Sequence, residues 1–140
     1  VTDRFEFFDH TADIGVHIYG RSLAELFENA ARALSEALGR FHKPEGTLQK
    51  TIDLQAELVE DLLHDWLADL LYEIEANHVL YDHFEFHELT PLRLTATLRG
   101  GPIDFTRSET NEEIKAVTYH QLSVESQPDG SWRAIVIFDV

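Results

Sequence analysis

The sequence predicts a single α+β domain, residues 1–140, with two helices packed on antiparallel or mixed β-sheet. Three observations carry this. Two segments, 22–39 and about 58–76, repeat their apolar residues with a helical period. The stretches around them alternate apolar and polar residues as half-buried strands do. The last nine residues, Trp132 to Val140, are apolar on both strand faces, as in a central strand covered on both sides.

The elements follow in order. Residues 4–8 read as a short strand and Asp9-His10-Thr11-Ala12 as turn material. Residues 13–20 form a second strand, with Ile14, Val16 and Ile18 on one face and Asp13, Gly15, His17 and Tyr19 on the other. Ser22 with Glu25 three residues later is a capping box that opens the first helix, and Gly39 is a natural stop. Residues 40–46 read as a loop. Residues 47–56 alternate, with Leu48, Ile52, Leu54 and Ala56 inward. Val59, Leu62, Leu63, Trp66, Leu67, Leu70, Leu71 and Ile74 give the second helix an apolar arc about half its circumference wide. Two strands follow, one with Leu80, Phe84 and Phe86 inward, the other with Leu92, Leu94, Ala96 and Leu98 inward, separated at Thr90-Pro91. Residues 100–112 read as a loop, 113–125 as one strand, and Pro128-Asp129-Gly130 as the turn into the last strand. No linker divides the chain.

Composition narrows the function. With 44% hydrophobic residues among 140, disorder is excluded. No apolar run reaches the roughly 18–20 residues of a membrane span, and the N-terminal residues lack the layout of a secretory signal. The absence of cysteine rules out disulfides, thiolate zinc sites and cysteine nucleophiles, and fits a cytoplasmic setting. Eleven basic residues against 26 acidic ones give a net charge of −15. Stable binding to a phosphate backbone needs clustered Lys and Arg, so direct nucleic-acid binding is not expected.

Charge patterning singles out several groups. From Thr51 to Leu92 there is no Lys or Arg. Within that stretch Asp61, Asp65, Asp69 and Glu73 recur at i,i+4, a spacing that costs roughly 0.2–0.5 kcal/mol per like-charged pair. They form either a solvated helix face or a docking stripe for a basic partner. Glu60 falls inside the apolar arc but also in the first helical turn, where the helix dipole favours a carboxylate. His83, Glu85 and His87 alternate along one strand, yet the two histidines stand about 13 Å apart and cannot share an ion. No H-E-x-x-H, P-loop or nucleophile elbow is present.

The remaining candidates are Asp9, His10, Asp13, Lys115 and Asp139. Asp13 opens a strand and Asp139 ends one, and a carboxylate at the end of an apolar run needs compensation. Two readings stay open on spacing alone. Asp13 and Asp139, with backbone oxygens or the terminal carboxylate of Val140, suit a hard cation such as Ca²⁺, Mg²⁺ or Mn²⁺. Alternatively, Lys115 neutralises Asp139 as a structural ion pair.

Three stretches carry a family resemblance: DHTADIGV at 9–16, VEDLLHDWLADLLYEIE at 59–75, and EIKAVTYHQLSV at 113–124 leading to WRAIVIFDV at the end. In this order, across essentially the whole chain, they resemble the archease family. The family tends to carry a basic residue and a histidine before EIKAVTY, where this chain reads Thr106-Arg107-Ser108-Glu109. The resemblance implies two helices against β-sheet and a non-catalytic accessory protein of the RtcB-type RNA-splicing ligase of tRNA splicing. It implies faster guanylylation of the ligase histidine, multiple turnover, and a divalent cation, Ca²⁺ first with Mg²⁺ or Mn²⁺ as alternatives. By match of motif the cation falls to Asp13, Asp139 and the backbone oxygen of Val140, and an activation role to Lys115. Asp9, His10 and Glu60 are further candidates for the partner site. The rival classes are a stand-alone metal-dependent phosphoesterase and a metal-independent, chaperone-like adaptor.

Overall fold

Apolar periodicity at 3.6 and at 2 residues sets the architecture. The computed structural model describes residues 4–10, 12–43, 46, 48–111 and 113–140. Strands β1 (Phe5–His10) and β2 (Asp13–Gly20) lead into helix α1 (Leu23–Leu38). Then come β3 (Gly39–Arg40), β4 (Leu48–Gln55) and helix α2 (Val59–Asn77). Long strands β5 (Val79–Thr90) and β6 (Arg93–Pro102) follow. After a turn of 3₁₀-helix at Phe105–Arg107 come β7 (Glu109–Thr110), β8 (Ala116–Val117), β9 (Ser123–Ser126) and β10 (Trp132–Asp139).

The domain is α+β, and its strand pairings are antiparallel. One sheet runs β1-β2-β10-β8, with β9 also on β10; a second runs β4-β6-β5; β3 and β7 form a small third. Each helix touches strands of both larger sheets, so the helix pair is a middle layer. Its centre is Trp66, which is fully buried, donates its indole N–H to the Phe27 carbonyl at 3.0 Å, and packs edge-on against Phe84. Filling so large a site explains why truncating such a residue typically costs about 3–5 kcal/mol.

Ser22 caps α1, its Oγ accepting from the Glu25 N–H at 3.1 Å. Gly39 follows because β3 runs tight against β7: a Cβ there would sit 2.3 Å from the Glu109 carbonyl oxygen. β10 is central, as its two apolar faces require. Ala134, Val136 and Phe138 enter the main core, and Ile137 is fully buried on the other face.

Three expectations are corrected. The strand expected over 113–125 is broken into β8 and β9, because Gln121 takes a left-handed conformation (φ 53°) and residues 119–122 turn away from β10. The loop expected at 100–112 holds the end of β6 and all of β7, and Gly39–Arg40 pairs with the latter. Leu48 and Leu92, expected inward, are 41% and 54% exposed, because Leu48 is the first residue of β4 and Leu92 lies in the turn before β6. β5 keeps Leu80, Phe84 and Phe86 inward as expected, across register shifts at Tyr81/His83 and Phe86/Glu88.

Candidate functional site

The register of the five-stranded sheet decides what lies at its tip. β1 and β2 pair His10 with Asp13. β2 and β10 pair Ile14 with Phe138, the last pair of that ladder, so Asp13 and Asp139 each lie one residue beyond it at the same end of the sheet. β10 in turn pairs Asp139 with Ala116, and the Lys115 N–H donates to the Asp139 carbonyl oxygen at 2.7 Å. Strand alternation puts His10, Asp13 and Asp139 on the sheet face turned away from the helices. Asp139 and Lys115 are exposed; Asp13 and His10 are half-buried.

The structure thus brings Asp13, Asp139, His10 and the Lys115 backbone together. Lys115 meets Asp139 through its main chain; no side-chain ion pair joins them among the described residues. The Val140 side chain packs against the core, which fixes where its backbone oxygen lies at the strand end. Asp9 pairs with Ile14 and so lies on the opposite, helix-facing side of β1. Glu60 is half-buried in the first turn of α2, and no described hydrogen bond or ion pair ties it to the tip.

His10 orients the site. Its Nε2 lies 3.1 Å from the Gln121 amide nitrogen. With that amide donating, the imidazole proton sits on Nδ1, which is buried, has no hydrogen-bond partner among the described residues, and lies 3.6 Å from Asp13 Oδ2. An orphaned polar atom facing a carboxylate marks a site whose oxygens are available. Among the described residues no three His, Asp or Glu side chains converge on one point. A hard cation would therefore draw on Asp13, Asp139, backbone oxygen and solvent, a donor set that fits the chemistry of such ions.

The sequence did not point to the clamp that holds the 119–122 turn beside this tip. His120 lies against His10, ring centroids 5.0 Å apart. From the helix side, His64 Nε2 donates to the Val117 carbonyl at 2.8 Å, and its ring stacks on Tyr119 at 4.0 Å and 14°. Burial first, then Asp65 and Asp61, raises the Tyr119 hydroxyl above its ordinary value. Chain separation hid the clamp: His64 and Val117 are 53 residues apart.

The acidic stripe on α2 divides. Glu73 is buried and meets Lys50 at 2.5 Å, while the Asn77 amide donates to its other oxygen at 2.9 Å. Asp69 is half-buried, and desolvation raises its pKa. Only Asp61 and Asp65 remain at the end nearer the tip, so a four-carboxylate docking stripe does not form. His87 is bound to the Thr97 hydroxyl at 2.7 Å.

Residues 5–140 match the model of the archease protein family. The chain belongs to the archease family. It is 36% identical to the archease of Pyrococcus abyssi over 98% of this chain and 99% of that one. It is also 36% identical to that of Methanosarcina barkeri, over 98% and 96%. The solution structure of Methanobacterium thermoautotrophicum protein 1598 superposes with a TM-score of 0.75 at 33% identity, covering 98% and 99% of the two chains. The crystal structure of the Thermotoga maritima archease, described as a possible chaperone, gives 0.68 at 32%, covering 95% and 94%. In this archease-family chain the motifs at 9–16, 113–124 and the C-terminal strand are the three walls of the tip, and the motif at 59–75 is the helix that supplies His64.

Proposed function

We propose that this archease-family chain is a non-catalytic activator of an RtcB-type RNA-splicing ligase in the cytoplasm. In this reading it speeds guanylylation of the ligase histidine and so sustains multiple turnover in tRNA splicing. The observation that supports it most is the side-by-side placement of Asp13 and Asp139 at an exposed corner beside Lys115. The description of the Thermotoga maritima relative as a possible chaperone supports an accessory role.

Guanylylation moves a nucleotidyl group onto an imidazole nitrogen and releases pyrophosphate, so charge on phosphate oxygens must be stabilised as the bond changes. Asp13, Asp139 and the Val140 backbone oxygen would hold a divalent cation, Ca²⁺ first and Mg²⁺ or Mn²⁺ as alternatives. Such an ion supplies electrostatic stabilisation of phosphoryl oxygens when bound. Lys115, pinned by its backbone N–H and exposed at its side chain, is free to extend toward a phosphate in a partner's site. His10 lies beside Asp13, Nδ1 3.6 Å from its Oδ2. A net charge of −15 suits docking on a basic, RNA-binding partner and leaves the RNA to that partner.

The test is ligase turnover with the cognate ligase in the presence of Asp13→Ala, Lys115→Ala or Asp139→Ala. Each variant should fold normally and lose activation. Full activation by all three overturns the proposal.

A further inference from the structure

The far end of the same sheet gathers arginines that the tip lacks. Trp132 pairs with Gly20 there, seven residues along β2 from Asp13, or about 23 Å. The N-terminal half of α1, the ends of β1 and β2, and the β9–β10 turn enclose an open cleft of about 1010 Å³. Arg4, Arg21, Arg32 and Arg133 line it, with Trp132 and Asn29. These are four of the eleven basic residues in a chain with 26 acids.

Glu25, Glu28 and Asp129 line the cleft too, but Glu25 and Glu28 hold the arginines only through surface contacts. Arg21 pairs with Glu25 at 3.2 Å, Arg32 with Glu28 at 3.5 Å, and Arg133 with Glu125 at 3.6 Å. All three are surface pairs of a kind that contributes little and exchanges readily. Asp129 is engaged by Ser131 within its own turn, at 2.6 Å. Arg4 makes no ion pair among the described residues. Arginine forks that can turn toward a ligand match phosphate oxygens in bidentate geometry.

The inner wall adds ring recognition. Asn29 is only 4% exposed, and its amide donates to the Tyr19 carbonyl at 2.7 Å. Its Oδ1 has no partner among the described hydrogen bonds and is left as an acceptor in the cleft wall. The half-buried Trp132 ring, packed against the core on one side, also lines the cleft and, with Tyr19, supplies the aromatic surface there for stacking. The volume suits a ligand of nucleotide size rather than a bare anion.

We infer that this cleft is a nucleotide site: the arginines take the phosphate, Trp132 takes the face of the base, and Asn29 accepts from a base N–H or amino group. It goes beyond the activator reading and does not depend on the acidic tip. A long nucleic acid is a poorer fit, because the surrounding acids would repel an extended backbone.

The experiment is calorimetric titration of the full chain at low salt with guanosine monophosphate. Inorganic phosphate, uncharged guanosine and a short single-stranded RNA serve as the other arms. The nucleotide should bind with Kd below about 1 mM, tighter than any other arm. Arg4→Gln with Arg32→Gln should weaken it about tenfold or more, and so should Trp132→Leu. Asp139→Asn should leave it unchanged, which separates this result from failure of the tip. Circular dichroism melting checks that each variant is folded. Absence of binding at about 5 mM nucleotide, equal affinity for phosphate alone, tighter binding of the RNA, or insensitivity to the folded arginine variants would each overturn the assignment.

Discussion

The His64 ring lies 4.0 Å from that of Tyr119, nearly parallel to it, although one sits on α2 and the other on a bulge between two strands. The same imidazole donates to the Val117 carbonyl at 2.8 Å. Two contacts from one side chain thus tie the helix layer to the segment that follows Lys115, and so to the tip of the sheet.

Removing that tie should loosen the bulge without unfolding the domain. His64→Ala deletes the bond to Val117, the contact with Asp65 at 3.1 Å and one stacked ring, a loss of about 1–2 kcal/mol in denaturant unfolding. Amide hydrogen exchange should accelerate at Thr118, whose N–H otherwise bonds the Ile137 carbonyl at 3.0 Å. His17→Ala, on the open outer face of β2, should leave that exchange unchanged.

The Lys50–Glu73 pair predicts a pH window. Burial alone would raise Glu73, but the bonds from Lys50 and Asn77 overcome it and leave the carboxyl below its ordinary 4.5. The hydrogen bond to Glu73 raises Lys50 above 10.5 despite partial burial. A depressed carboxyl contributes stability above its unfolded pKa and loses it as pH falls through the folded one. A raised ammonium contributes below its unfolded pKa and loses it as pH rises through the folded one. The pair should therefore stabilise between about pH 5 and pH 10. Lys50→Ala should cost about 1.5–3 kcal/mol at pH 7 and much less at pH 3, as read by urea midpoints.

Asp69 has the opposite sign. Desolvation raises its pKa above 3.8, ahead of the opposing pull of Lys50. The folded state then holds the proton more tightly than the unfolded chain, and stability falls as pH rises through that range. Asp69→Asn should raise the melting temperature at pH 7 and have little effect at pH 3. A lower melting temperature at pH 7 would show that the carboxylate stabilises the fold.

How much of this was readable beforehand depends on whether the signal was local. β2 runs from Asp13 to Gly20, as its alternation predicts, and α1 starts after Ser22, as its cap predicts. The break at Gln121 was not legible, because a non-glycine residue with positive φ leaves no mark in composition. The stretch 51–92 looked uncompensated because Lys50 lies one residue outside it and 23 residues from Glu73. The arginine cleft was invisible for the same reason: its basic residues come from separate segments of the chain. Asp13 and Asp139 were legible as a pair only because one opens a strand and the other ends one, which limits where each can lie.

That pair gives the last prediction. Two carboxylates set side by side repel, and a ligand that binds only the folded chain stabilises it by mass action. Calcium at about 100 times its dissociation constant should add roughly 2.7 kcal/mol to the unfolding free energy, seen as a rise in melting temperature at fixed ionic strength. Asp139→Asn should abolish the calcium-dependent rise. It should also leave the metal-free melting temperature the same or higher, since it removes the repulsion. If the variant keeps the full calcium response, the ion binds elsewhere, and the tip is left with electrostatic repulsion that no cation relieves.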